Sequence, residues 1–207
     1  MKFAYGKNTK VAKHSVLLRG HLRRHEPDEA AEVAEASGRA RLALQIQRRK
    51  IGDERAIGRL VTKLDGHDAA VTELINRRSY SWAMTFAIKG NLHLRVDDVV
   101  SSAMTHSHNL DYSKELMFLL VRAVEHMDEV QRNPFERGAS HTFGAESSIW
   151  EKRSNEYARL ALEIGRIGTK HFTQVNDPVS VKSISIFVHA LTTNPLDRRI
   201  GWSGLHK

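Results

Sequence analysis

If the stretch that opens near Ser147 is helical, Trp150, Arg153 and Tyr157 fall on one face at i, i+3 and i+7, with Lys152 beside them. Rings and cations on one face can hold unpaired bases by stacking while the cations neutralise phosphate. A core stripe flanked by a solvated charged face has the same spacing, so both readings stand at this stage. The preceding segment, broken by Asn133-Pro134, reads as a loop and adds Phe135, Arg137 and Phe143.

Other chemistry finds less support. His14, His21 and His25 line one helical face, and His21 with His25 at i, i+4 could share a metal. No third ligand of fixed spacing accompanies them. Beside Arg19, Arg23 and Arg24 they read instead as an anion-binding or solvated face, while His106 and His108 sit in a polar loop. Gly66-His67-Asp68 is similar to the His-Asp pair of all-α metal phosphohydrolases, with His25 or Asp128 as conceivable further ligands. A helix start after a glycine turn also gives Asp68 a plain role as a cap. There is no G-x-S-x-G elbow, no phosphate-binding glycine loop and no thiol, and the Asp97/Asp98 pair reads as helix capping. The expectation is a protein that is not an enzyme, with no metal or cofactor.

Net charge is +8 with a pI near 9.9 across 207 residues, which favours an anionic partner such as nucleic acid. With no cysteine, disulfides and thiolate–zinc sites are excluded. No apolar run approaches the roughly 20 residues of a membrane span, and the N-terminus lacks a signal-peptide pattern. A cytoplasmic location is expected, or the host cytoplasm or virion if the protein is viral.

The elements that must position these residues read as helices throughout. Residues 1–25 hold seven Lys/Arg and no acid, with Val11, Leu18 and Leu22 spaced for a helix from Thr9. After Glu26-Pro27-Asp28 a single second helix is expected to run to Lys50, with a thin stripe of Val33, Ser37, Ala40, Leu44, Gln47 and Ile51. Asp53 and Asp68 are expected caps of two further helices. Ser79–Ile88 reads as helix, with a strand as the alternative. Leu92, Leu94 and Val96 read as an extended lead-in to a helix capped at Asp97. A strongly apolar helix carries Leu116, Leu119, Leu120, Ala123, Val124, Met127 and Val130. Asp177-Pro178 starts a last helix, again with a strand as alternative. The fold class is an all-α, irregular multi-helix bundle. Residues 1–52 form a charged N-terminal arm whose cations include Lys10, Lys13, Arg19, Arg23 and Arg24, 53–193 a helical core, and 194–207 a basic tail.

Leu120-Val121-Arg122-Ala123-Val124-Glu125, then Asn133-Pro134-Phe135 and Phe135-Glu136-Arg137-Gly138-Ala139, then Phe143 and Ile149-Trp150-Glu151-Lys152-Arg153, form an ordered series. Over about residues 79–160 this series resembles the promoter-melting domain of bacterial sigma factors, nearest to the short late-transcription sigma proteins of large tailed phages. The resemblance implies that Glu115, Arg122, Glu125, Asp128 and Glu129 face the clamp of RNA polymerase core. It implies that Phe135, Phe143 and Trp150 stack on melted bases, and that Lys152, Arg153 and Arg159 follow the backbone. The spacing departs from that pattern between Asp97-Asp98 and Ala123-Val124-Glu125, where an insertion through His106–Asp111 must be assumed.

Three function classes therefore stand. One is a nucleic-acid-binding, sigma-like specificity subunit. Another is a self-associating helical virion or nucleocapsid protein, whose basic arm neutralises packaged nucleic acid without reading sequence. The third is a His67/Asp68 metal-dependent phosphohydrolase.

Overall fold

The computed structural model describes residues 5–49, 53–106, 109–132 and 145–193. They form ten α-helices and one 3-10 turn, with no strand among the described residues, so the all-α class holds. The helices are α1 (Tyr5–Arg23), α2 (Pro27–Ala36), α3 (Ala40–Arg49), α4 (Glu54–Asp65), α5 (His67–Asn76) and α6 (Tyr80–Lys89). They continue with α7 (His93–His106), α8 (Ser113–Arg132), α9 (Ala145–Gln174) and α10 (Pro178–Thr193). No helix among the described residues is long and apolar enough to cross a membrane.

One local device recurs. His25, Gly38, Arg78, Asn91 and Asn176 all take positive φ, between 53° and 78°, directly after a helix. In each case the next residue's N–H reaches back five residues, as in Glu26 to His21, Arg39 to Ala34, Ser79 to Leu74, Leu92 to Ala87 and Asp177 to Phe172. The left-handed residue itself bonds three residues back, which completes a Schellman ending. The carbonyl of the following residue then accepts the first bond of the next helix, as Glu26 does from Ala30 and Asp177 from Val181. Each corner thus ends one helix and starts another within two residues.

The corner at Gly38 overturns the expectation of one helix to Lys50, because the chain turns there and α3 begins at Ala40. The corner at Asn91 likewise starts α7 at His93, so the expected extended lead-in is helical and Asp97 lies inside the helix rather than at its cap. Asp53 is a cap, accepting from the Ala56 N–H at 3.0 Å. Asp68 is not: α5 starts at His67 behind Gly66 with no side-chain cap, and Asp68 sits in its first turn. Asp177 caps α10, accepting from the Ser180 N–H at 3.1 Å and the Ser180 hydroxyl at 2.6 Å, bonds that lower its pKa.

The chain divides into two compact units, residues 1–86 and 87–207. In the first, each of α1 to α4 packs on the next in sequence. Ala30, Ala34, Ala43, Leu44, Ile57, Leu60, Val71 and Leu74 make its core. The many alanines let these helices approach closely. Within residues 5–49, α2 and α3 bury Ala30, Ala31, Ala34, Ala43, Leu44, Ile46 and Gln47, and the division between units falls after Phe86. Ion pairs tie alternate helices, Glu35 of α2 to Arg59 and Lys63 of α4 at 2.6 and 3.0 Å, and Arg48 of α3 to Glu73 of α5 at 3.1 Å.

In the second unit α8 is buried on nearly every face, from Leu116 to Val130. Asp128 meets Ser154, Met117 lies under Gly165 and Ser113 under Gly168, so α8 and α9 run antiparallel. Gly165 also faces Val188 and Gly168 faces Ile184, which sets α10 antiparallel to α9. Met117, Phe172 and Ile184 form the centre of this packing.

Candidate nucleic-acid interface

The face of α9 expected to stack on bases turns partly inward. Tyr157 is 8% exposed, and its hydroxyl donates to the carboxylate of Asp97 on α7. Burial raises the pKa of its phenol, which stays a donor at neutral pH. Arg153, one turn earlier, donates to the same carboxylate. Ser154 donates at 2.5 Å to Asp128, a residue 6% exposed. On the far side of α8, His126 meets His93 of α7 at 2.9 Å between ring nitrogens. Three helices are thus pinned by a layer of polar contacts, an arrangement that fixes register where a purely apolar seam could slide.

Two expectations are corrected by this layer. Tyr157 is a core residue whose ring has no open face for a base, and its hydroxyl is taken by Asp97. Asp128 is enclosed between α8 and α9 and offers no surface to a partner. Of the other residues expected to face a partner, Glu115 and Glu125 are exposed, while Arg122 and Glu129 are half-buried; Arg122 pairs with Glu125 at 3.5 Å. Lys152 and Arg159 are exposed, but they alternate with exposed Glu151, Glu156 and Glu163. Phe135, Arg137 and Phe143, and the side chains of Lys10 and Trp150, lie outside the described residues.

The cationic surface lies elsewhere. Residues 1–86 carry 17 Lys/Arg against 10 Asp/Glu, a net +7, and residues 87–207 carry 15 against 14, a net +1. Within the first unit several of the acids are already neutralised, Glu35 by Arg59 and Lys63, Glu54 by Arg77 and Glu73 by Arg48. Their partners, too, are spoken for. Lys13, Arg19 and Arg23 of α1 have no ion-pair partner among the described residues, and neither have Arg41, Arg49, Arg55 and Arg78 elsewhere in the unit; α1 differs in containing no acid.

Leu18 of α1 is buried with His14, Ser15 and His21 half-buried around it, so the histidine face points inward rather than to solvent. His21 is held at 2.7 Å by Glu26, and His25 sits in the corner after α1. The opposite face exposes Lys13, Arg19 and Arg23, none with an ion-pair partner among the described residues, together with Val16 and Leu17. Arg24 pairs with Glu26 at 2.9 Å. Arg39, at the start of α3, is half-buried and donates to Ser15 at 3.3 Å, and Arg41 follows exposed in the first turn of α3. Exposed cations therefore occupy the outer face of α1, with Arg41 exposed at the opening of α3. The α3 part was missed in the sequence because Arg39 and Arg41 read as the middle of a longer helix.

Among the described residues no group of three or more His, Asp or Glu side chains is placed to hold a metal ion. His67 packs near the Phe86 ring, 6.5 Å between centroids, and Asp68 is exposed beside it. Comparison with protein-family models, curated proteins and solved structures finds no match.

Proposed function

We propose that the chain binds nucleic acid through the phosphate backbone, using the acid-free outer face of α1 and the opening of α3. The observation that carries this reading is the partition of charge, +7 in residues 1–86 against +1 in residues 87–207. Lys13, Arg19 and Arg23 project from one helix face with no carboxylate among the described residues to hold them. Such a surface neutralises phosphates and carries no groups aimed at base edges, so binding is sequence-blind and steeply salt-dependent. This favours a packaging or assembly role over promoter recognition.

The sigma-like reading keeps a narrower footing. It would rest on exposed Lys152 and Arg159 of α9 for the strand, and on Glu115 and Glu125 of α8 for polymerase. One experiment separates the two. Fluorescence anisotropy is measured on plain duplex, single strand and forked DNA across a salt series, with and without RNA polymerase core. Similar binding to all three, unmoved by core, with each of Arg19→Ala and Arg23→Ala reducing the salt slope by about one, supports the backbone reading. Fork-selective binding that sharpens with core supports the sigma-like one. Undetectable binding at low salt overturns both.

A further inference from the structure

A groove of about 600 Å³ lies between α9 and α10, lined by Gly165, Arg166, Thr169, Lys170, Val188 and His189. Gly165 lies at its base in close packing: a Cβ there would stand 3.0 Å from the Met117 sulfur and 3.1 Å from Val188 Cγ2. Arg166 and Lys170 rise on the α9 rim one turn apart, and His189 on the α10 rim opposite. Like charges at i, i+4 repel each other on a helix. Among the described residues no carboxylate pairs with either, Glu163 one turn before Arg166 included, and α10 contains no acid.

We infer that this groove is a binding site for a small phosphate ester of about nucleotide size. Arg166 and Lys170, one turn apart on the α9 rim, can reach one compact anion between them, as Arg and Lys do around phosphate. Thr169 adds a hydroxyl that can donate to it, while the hydroxyls of Ser185 and Thr192 are taken by the backbone carbonyls of Val181 and Val188. The organic body rests on Gly165 and Val188. A volume of about 600 Å³ falls within the ordinary range for small-molecule sites. A protein helix is a poorer fit, since the lined length is only about two turns, roughly 10 Å. A nucleic-acid strand is also a poorer fit. The α9 surface leading away from the groove alternates Glu163, Arg159, Glu156 and Lys152, so no cationic track continues the phosphate contacts. The site is independent of the α1 face and goes beyond the function proposed above.

The test is titration calorimetry on the full chain with adenosine 5′-monophosphate, run beside inorganic phosphate, adenosine and a thymidine trinucleotide. Saturable binding of the mononucleotide, tighter than either phosphate or adenosine alone, is expected. Lys170→Glu should weaken it about tenfold or more by removing a charge-assisted contact and adding repulsion. Ser185→Phe, which fills the groove without changing charge, should abolish it, and Lys89→Glu on α6 should leave it unchanged. Lys170 is exposed, so its variant stays folded even if Ser185→Phe does not. The inference is overturned by absence of mononucleotide binding, by binding insensitive to Lys170→Glu, by phosphate alone binding as tightly, or by binding of the trinucleotide only.

Discussion

Arg153 on α9 donates its guanidinium N–H to the carboxylate of Asp97 on α7, so a residue that sequence spacing aims at phosphate is spent on holding two helices together. The Asp97 side chain is 16% exposed and serves Tyr157 as well. Asp97→Ala leaves a buried phenol and a half-buried guanidinium without their acceptor. It should cost about 2–4 kcal/mol, read as a lower midpoint in urea unfolding at unchanged slope. Arg153→Ala should also lower stability while changing nucleic-acid affinity little. A severalfold loss of affinity in Arg153→Ala with an unmoved midpoint would reverse this assignment.

What could be read in the sequence followed from periodicity. The stripe from Leu116 to Val130 announces α8, and Asp53 and Asp177 announce their helices because an acid before a helix has one dominant use. The corners were harder. Gly38 and Asn91 are residues that favour left-handed backbone, but His25 and Arg78 are not, so the shared motif has no shared residue. Missing the corner at Asn91 shifted the start of α7, and with it the role of Asp97 from cap to core acceptor. The wheel for α1 was legible as amphipathic, yet which face is inward depends on Leu18 alone against Val16 and Leu17, a choice only packing makes. Cations and their partners were illegible for a related reason. Arg59 and Glu35 are 24 residues apart, and no local pattern connects them.

The corner at Arg78 makes its own prediction. Its φ of 59° is a conformation that costs a side-chain-bearing residue roughly 1 kcal/mol, and glycine almost nothing. The Arg78 side chain is exposed, so little packing is lost on removing it. Arg78→Gly should therefore leave stability unchanged or raise it by up to about 1 kcal/mol, despite the greater entropy of glycine in the unfolded chain. Arg78→Val, β-branched, should lower it by more than 1 kcal/mol. Thermal melting of the pair gives the comparison, and equal midpoints would argue against a strained corner.

Two helical glycines carry the opposite prediction. Alanine is favoured over glycine in a helix by about 1 kcal/mol, so a Gly→Ala change at an open site stabilises. At Gly58 a Cβ would lie 2.4 Å from the Phe86 ring, and at Gly168 2.9 Å from both Ile184 and Ser113. Neither neighbour is a flexible surface chain; Phe86 and Ile184 are both buried. Gly58→Ala and Gly168→Ala should each destabilise by about 1–3 kcal/mol, with Gly58 the worse. Calorimetric midpoints that rise instead would mean the rings and methyls repack without strain.

Glu35 sets the acid limit of the first unit. Hydrogen bonds from Arg59, joined by Lys63, hold its carboxyl at about 2, below an ordinary value near 4.5. A lowered carboxylate pKa means that the folded state binds fewer protons than the unfolded one. Its contribution is thus complete above about pH 4.5 and lost as pH falls toward 2. Arg59 and Lys63 are more than half exposed, so solvent screens the pairs and the worth at neutral pH is on the order of 1 kcal/mol. Glu35→Gln should remove that amount at pH 7 and nothing near pH 2, so the stability curves of the two proteins should converge as acid is added. Urea midpoints measured at intervals from pH 7 to 2 follow the convergence directly. A constant offset across the whole range would instead assign the loss to packing of the side chain against α4, and the ion pairs would then contribute nothing to the hold of α2 on that helix.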